Sequence, residues 1–177
     1  MSEEFEDKKE IFDSIGFSIK CIMIMWIIIL FFFSPSGICQ TSMLPTLEDG
    51  DSIIMSLMYK PKAGDVVVTT QPNYLNHNLV KRVIAVGGQT VDIDPIEGKV
   101  FVDGKELDEP YIKEPTRVVG DFEYPITVPE GKVFAMGDNR NGSLDSRHAS
   151  IGFIDERYVK GKVFFRIRPL KRFGWVK

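Results

Sequence analysis

The residues Leu79-Val80-Lys81-Arg82-Val83-Ile84-Ala85-Val86 are rich in β-branched side chains and end at Gly87-Gly88, which predicts a β-strand. Side chains alternate between the two faces of a strand. One face therefore carries Leu79, Lys81, Val83 and Ala85, and the other carries Val80, Arg82, Ile84 and Val86. This alternation places a lysine among apolar side chains.

Similar short runs occur along the rest of the chain, and no amphipathic helix is recognisable after residue 40. The Asp103-Gly104 pair between two such runs is a hairpin signal. We predict further strands at 52–55, 66–70, 90–94, 99–102, 132–136 and 161–167. The expected fold is all-β, either a barrel or a pair of packed antiparallel sheets.

The N-terminal part differs, because residues 22–33 form an unbroken apolar run. Extended to 17–38, this run reaches 22 residues with Lys20 as its one charge, and a membrane-spanning helix needs about 20. A cleaved signal peptide is disfavoured because Ser34-Pro35-Ser36-Gly37-Ile38-Cys39 lacks a clear small-x-small site. A buried core helix is disfavoured because no polar residues pattern the run.

The lysines around this run predict its orientation. Lys8, Lys9 and Lys20 precede the apolar residues, and no lysine or arginine follows until Lys60. The positive-inside rule then places the N-terminus in the cytoplasm. The expected organisation is a cytoplasmic segment 1–16, a single transmembrane anchor 17–38 and an extracytoplasmic catalytic β domain 39–177.

Charge and cysteine content exclude other classes of function. The formal net charge is -3, and no basic face indicates a nucleic-acid partner. Cys21 and Cys39 lie too far apart on an extended helix to form a disulfide, and no metal-binding cysteine spacing is present. We therefore expect no cofactor and no metal.

Ser42 follows the apolar run closely, in Gln40-Thr41-Ser42-Met43-Leu44-Pro45-Thr46-Leu47. Pro45 argues against a helix here, so the Ser42 hydroxyl can point into a cleft. A serine nucleophile needs a base. His77 and His148 are the histidines of the chain, and both have polar neighbours; a Ser-His-Asp triad with either one is the alternative to Lys81.

Lys81 is the preferred base because of its apolar strand face. Burial can lower the pKa of a lysine from about 10.4 to about 5–6, and a neutral lysine can accept a hydroxyl proton. The ordinary alternative is an edge lysine whose ammonium reaches water. Residues 137–147 form a polar stretch of small and charged residues with two Asp-x-Arg spacings. This pattern suggests a loop held by ion pairs. The ordinary alternative is a solvated turn.

The serine segment, the lysine strand and this polar stretch, behind an apolar N-terminal run, resemble the bacterial type I signal peptidases. These are membrane-bound serine endopeptidases of peptidase family S26 that use a Ser/Lys dyad. The resemblance covers residues 17–162 and implies a signal peptidase type of β fold. It implies that Ser42 is the nucleophile and Lys81 the general base.

The same resemblance assigns supporting roles in the polar stretch. Ser143 matches a residue that hydrogen-bonds and orients the lysine. Asp145 and Arg147 match an ion pair that fixes the loop, and Asp138 matches a partner of Arg82. At the position where one branch of the family has an oxyanion-donating serine, this chain has Gln40.

The implied substrates are signal peptides of exported preproteins, with small residues at the first and third positions before the cut. An extended substrate could add as a strand beside residues 79–81. Met43, Leu47 and Val80 are candidate linings of its pockets, with core packing as the alternative for each. The expected partners are these peptides and membrane lipid.

Two other functions remain open at this stage. A self-cleaving Ser/Lys repressor shares the dyad, but it would need a DNA-binding domain in place of the apolar run. A membrane-tethered β domain could bind peptides without cleaving them, although it would not explain why the three stretches occur together.

Overall fold

A computed structural model describes residues 2–70 and 78–176, with side chains described from residue 12 onward. The chain forms two compact units, Met1–Ser34 and Pro35–Lys177. The first unit consists almost entirely of one helix, and the second is built from strands. This confirms the expected all-β fold with one apolar N-terminal helix.

Helix α1 comprises Ser2–Phe32. Its segment Phe12–Phe32 has 21 residues and a mean hydropathy of 2.4, and none of its most apolar window is buried. This segment is long and apolar enough to cross a bilayer. The predicted anchor reached residue 38, but the helix ends earlier because Phe33–Gly37 is a strand containing Pro35.

The strands are joined by turns, 3₁₀ segments and longer irregular stretches such as residues 107–125. Their bounds are β1 Phe33–Gly37, β2 Ser52–Ser56, β3 Val66–Thr69, β4 Leu79–Val86, β5 Thr90–Asp94, β6 Lys99–Val102, β7 Lys105–Glu106, β8 Ile126–Thr127, β9 Lys132–Met136, β10 Ile154–Asp155, β11 Val159–Arg168 and β12 Gly174–Trp175. The 3₁₀ segments are Arg140–Gly142, Glu156–Tyr158 and Leu170–Arg172.

These strands form two sheets. The larger has the order β1-β2-β11-β3-β4-β9-β10, with β12 added to β11, and the smaller has the order β7-β6-β5-β8. The β3–β4, β4–β9, β2–β11 and β5–β6 pairs are all antiparallel. Strand β4 therefore lies inside the larger sheet, between β3 and β9.

Three apolar clusters form the core. One contains Met43 and Leu47 from the segment between β1 and β2. A second contains Leu79 and Val83 of β4, and a third joins the smaller sheet to Phe134 of β9. The segment that carries Ser42 is thus anchored in the core by its apolar neighbours.

A register shift between Val83 and Ala85 interrupts the β4–β9 ladder. Such a bulge changes which face the following residues occupy. Ala85 packs in the same cluster as Ile84, whereas Val86 packs against the cluster of Leu79 and Val83. The prediction that Ala85 shares a face with Lys81 is therefore wrong. Leu79 and Val83 do lie on one face of the strand, as predicted.

Candidate active site

Residues 41–47, here called the serine turn, carry Ser42 between β1 and β2. Leu44 N–H donates to the Thr41 carbonyl at 3.2 Å, and Leu47 N–H donates to the Met43 carbonyl at 2.9 Å. Met43 and Leu47 are 1% and 0% exposed, whereas Ser42 is only partly buried. Met43 and Leu47 therefore anchor the turn in the core, while Ser42 lies nearer to the protein surface.

Lys81 lies on β4 beside this turn and is 1% exposed. Its Nζ donates a hydrogen bond to Ser42 Oγ at 2.6 Å. Burial lowers the pKa of Lys81 to about 8, although the carboxylates of Asp145 and Asp138 oppose this shift. Once neutral, this amine is in position to accept the hydroxyl proton.

Arg82, the next residue of β4, points to the opposite face and forms a buried ion pair with Asp138. Its Nε and Nη2 donate to the two Asp138 oxygens at 2.8 and 2.7 Å. Its Nη1 donates to the Gly64 carbonyl at 2.8 Å, and its guanidinium lies 3.8 Å from the centre of the Tyr111 ring. A planar guanidinium with all these contacts holds β4 rigidly against residues 137–147, here called the polar loop.

Asp145 and Arg147 form a second ion pair that is fully buried. Arg147 Nε and Nη2 donate to Asp145 at 2.8 Å each, and Nη2 also donates to the Arg140 carbonyl at 2.6 Å. Burial would raise the pKa of Asp145, but the hydrogen bonds and charge of Arg147 outweigh it and hold the pKa below its usual value. Gly137 N–H also donates to this carboxylate, at 2.9 Å.

Ser143 does not make the hydrogen bond to Lys81 that the resemblance implied. Its Oγ has no partner in good hydrogen-bond geometry among the described residues, but it lies close enough to the Asp145 carboxylate to help lower its pKa. Lys81 bonds to Ser42 instead. The Ser143 hydroxyl and the Ser42 carbonyl both pack against the same side of Gly137. A Cβ at Gly137 would come within 2.2 Å of Ser143 Oγ and 2.4 Å of the Ser42 carbonyl, so this position requires glycine.

Sequence reasoning gave no individual role to four polar residues of the site. Asn139 N–H donates to the Ser42 carbonyl at 3.0 Å, and the Asn139 side chain donates to the Thr41 carbonyl at 3.2 Å. Thr46 Oγ1 donates to Asp138 at 2.5 Å. Arg140 pairs with Glu109 at 2.5 Å. All of these partners are distant along the chain, so no local pattern could have revealed them.

Two pockets open beside Ser42. The larger, of about 410 Å³, brings Ser42 and Lys81 together with Leu79 and Leu144. The smaller, of about 200 Å³, has Met43 and Val80 among its lining residues. Leu47 is fully buried in the core cluster and lines neither pocket, so its predicted role is corrected to core packing.

The histidines provide little support for a triad. His77 lies outside the described residues. The Nδ1 atom of His148 is buried without a hydrogen-bond partner in the part of the chain that the structure describes. A triad histidine is oriented by a carboxylate at its second nitrogen, and His148 has no such contact through Nδ1.

Known proteins resemble this chain over most of its length. The profile of a family described as "Signal peptidase, peptidase S26" matches residues 11–168. A probable signal peptidase I-1 of Synechocystis sp. is 37% identical, with 86% of this chain and 80% of that protein aligned. Signal peptidase I of Bacillus licheniformis is 34% identical over 97% of this chain and 99% of its own.

A solved structure also resembles this one. It is the crystal structure of a signal peptidase I from Enterococcus faecalis V583, with 30% sequence identity and a TM-score of 0.47. The match covers 59% of this chain and 97% of that chain.

Proposed function

This chain belongs to the signal peptidase family, peptidase S26, and we propose that it removes signal peptides from exported preproteins with Ser42 as nucleophile and Lys81 as general base. The observation that carries the assignment of the dyad is the 2.6 Å contact between Lys81 Nζ and Ser42 Oγ. It joins a nucleophile to a base whose pKa burial lowers to about 8.

The chemistry follows from these two groups. Neutral Lys81 takes the Ser42 proton as Oγ attacks the scissile carbonyl, and the resulting ammonium returns a proton to the leaving amine. Lys81 then activates the water that hydrolyses the acyl-enzyme ester. The backbone N–H of Ser42 is the proposed donor to the oxyanion.

Substrate binding is proposed along the start of β4. Strand β3 pairs with β4 from Leu79 to Arg82, whereas the β9 register on the other side begins at Arg82. Residues 79–81 thus offer an edge on which an extended peptide can add as a strand. Its alternate side chains would face the two pockets.

The supporting pairs act on this geometry rather than on the substrate. We propose that Arg82 with Asp138, and Arg147 with Asp145, hold the lysine strand and the polar loop in place. Ser143 is the remaining supporting residue, since its hydroxyl and the Ser42 carbonyl pack against the same side of Gly137. It can orient the Lys81 amine once that amine releases Ser42 during the reaction.

The membrane location and orientation are part of the proposal. The apolar part of α1, which ends at Phe32, would form the anchor, with the residues before it in the cytoplasm and the β domain, including β1, outside. The lysines before the apolar run support this orientation. Protease added to intact protoplasts should digest the β domain, and protection until the cells are permeabilised would reverse the orientation.

Cleavage of a purified preprotein by the full chain in detergent tests the function. Ser42→Ala and Lys81→Ala should abolish cleavage, and Ser52→Ala, on the neighbouring strand β2, should retain it. Cleavage by Ser42→Ala would refute the nucleophile. A wild-type protein that binds signal peptides without cutting them would instead be a binding domain.

A further inference from the structure

We infer that Thr46 is a positioning residue that holds Ser42 at its distance from Lys81. The inference rests on the proposed roles of Ser42 and Lys81. It concerns a hydroxyl in the serine turn that neither the apolar packing nor the dyad itself uses.

The serine turn is held at both ends by two consecutive residues of the polar loop. At its start, Asn139 binds the carbonyls of Ser42 and Thr41, at 3.0 and 3.2 Å. At its end, Thr46 Oγ1 donates to Asp138 Oδ2 at 2.5 Å. Loss of the Thr46 contact would leave the turn attached to the loop at its start alone.

The same Asp138 carboxylate binds the strand that carries the base. Arg82 Nη2 donates to Oδ2 at 2.7 Å, and Nε donates to Oδ1 at 2.8 Å. Arg82 follows Lys81 directly in β4. One buried carboxylate therefore links the nucleophile's turn, through Thr46, to the base's strand, through Arg82.

The backbone of Thr46 is secured independently from another direction. Arg166 Nη1 donates to the Thr46 carbonyl at 2.8 Å, and Asp51 joins Arg166 to Arg172 at 3.4 and 2.6 Å. Removing the Thr46 hydroxyl would leave these bonds intact, and Asp138 would keep its bonds to Arg82. Thr46→Val therefore breaks the link without unfolding the turn.

The test measures the kinetics of preprotein cleavage by the full chain in detergent. The variants are Thr46→Val, Thr46→Ser and the matched control Thr90→Val. The Thr90 hydroxyl pairs with that of Thr127 on the smaller sheet. For Thr46→Val we expect kcat to fall about tenfold or more, the scale of one hydrogen bond to a charged group. KM should change less than about twofold, because the pockets are untouched. Thr46→Ser should recover at least about a third of kcat, and Thr90→Val should match the wild type.

The pH profile separates positioning from a change in the base. The activity of Thr46→Val should keep its midpoint near that of the wild type, because threonine carries no charge. Asp138→Asn should move the midpoint to lower pH, because the Asp138 carboxylate raises the pKa of Lys81. The double variant, Thr46→Val with Asp138→Asn, should show a smaller fold-loss of kcat than the product of the two single fold-losses. Both substitutions break the same link between the serine turn and β4.

Wild-type kcat in Thr46→Val, a Thr46→Ser variant as slow as Thr46→Val, or multiplicative losses in the double variant would each overturn the inference. If Thr46→Val does not fold, Thr46→Ala replaces it with the same expectations. Activity in Ser42→Ala would defeat the proposed function itself. An inactive Ser42→Ala with a normal Thr46→Val would defeat this inference alone.

Discussion

Two Asp-x-Arg sequences in this chain form the same pair in opposite surroundings. In both, the arginine Nε and Nη2 donate to the two oxygens of the aspartate two residues earlier, at 2.8 Å each for Asp145–Arg147 and at 2.9 and 2.8 Å for Asp155–Arg157. Asp145 and Arg147 are fully buried, whereas the Arg157 side chain is 84% exposed. Local sequence creates the pair, and the fold determines what it does.

The surroundings change the consequence of each pair. Hydrogen bonds from Arg157 lower the pKa of Asp155 to about 2, but water and salt screen this exposed pair. The Arg147 guanidinium is shielded from solvent, so water cannot take the place of Asp145 as its partner. Arg147 also donates to the Arg140 carbonyl. The buried pair therefore fixes the polar loop beside Ser42, while the exposed pair closes a surface turn.

The largest expected effect is a loss of stability in Asp145→Asn. Breaking one side of a buried pair leaves the other charge uncompensated, which costs about 3–5 kcal/mol of unfolding free energy. Urea denaturation should show this loss, and turnover should fall because Gly137, bonded to Asp145, packs against Ser42. A loss below about 1 kcal/mol with full activity would remove this pair from the site.

A smaller effect is expected on the stability of Lys81→Met. The folded protein lowers the Lys81 pKa from 10.5 to about 8, so the folded state binds this proton less well than the unfolded chain. The resulting cost is fully present below pH 8 and disappears as the pH rises to about 10.5. As the pH falls from 10.5 to 7, Lys81→Met should therefore gain about 3 kcal/mol of stability relative to the wild type.

The pH dependence provides the check on this second prediction. The stability advantage of Lys81→Met should shrink between pH 8 and 10.5, while other titrating groups, common to both proteins, cancel in the difference. An advantage that stays constant over this range would mean that the Lys81 pKa is not lowered by folding.

The smallest expected effect is on Asp155→Asn, the matched control for Asp145→Asn. The same hydrogen bonds are lost, but Arg157 remains solvated, so the unfolding midpoint and kcat should stay close to those of the wild type. A destabilisation as large as that of Asp145→Asn would show that burial is not what separates the two pairs.

Strand positions were accessible from sequence because they depend on local alternation. The bounds of β4, β5, β6 and β9 coincide with the predicted strands, and the alternation placed Lys81 correctly with Leu79 and Val83. It failed at Ala85 because a bulge depends on the partner strand β9 rather than on β4 itself.

The polar network of the site was less accessible. Asp138-x-Arg140 has the same spacing as Asp145-x-Arg147, yet Asp138 pairs with Arg82 and Arg140 with Glu109. Which buried charges meet is determined by contacts between distant segments. For the same reason Thr46 left no signal in the sequence, and the family resemblance suggested a Ser143–Lys81 bond that this structure does not contain.

The pH profile of kcat/KM for preprotein cleavage tests the Ser42–Lys81 dyad most directly, compared among the wild type, Lys81→Arg, His77→Ala and His148→Ala. Wild-type activity should rise with pH through a midpoint near 8, as Lys81 loses its proton. Lys81→Arg should be inactive because guanidinium stays protonated, and both histidine variants should keep the profile. The dyad would be contradicted if a histidine variant lost activity while Lys81→Arg stayed active. The wild-type midpoint would then lie at about 6.5, the usual pKa of histidine.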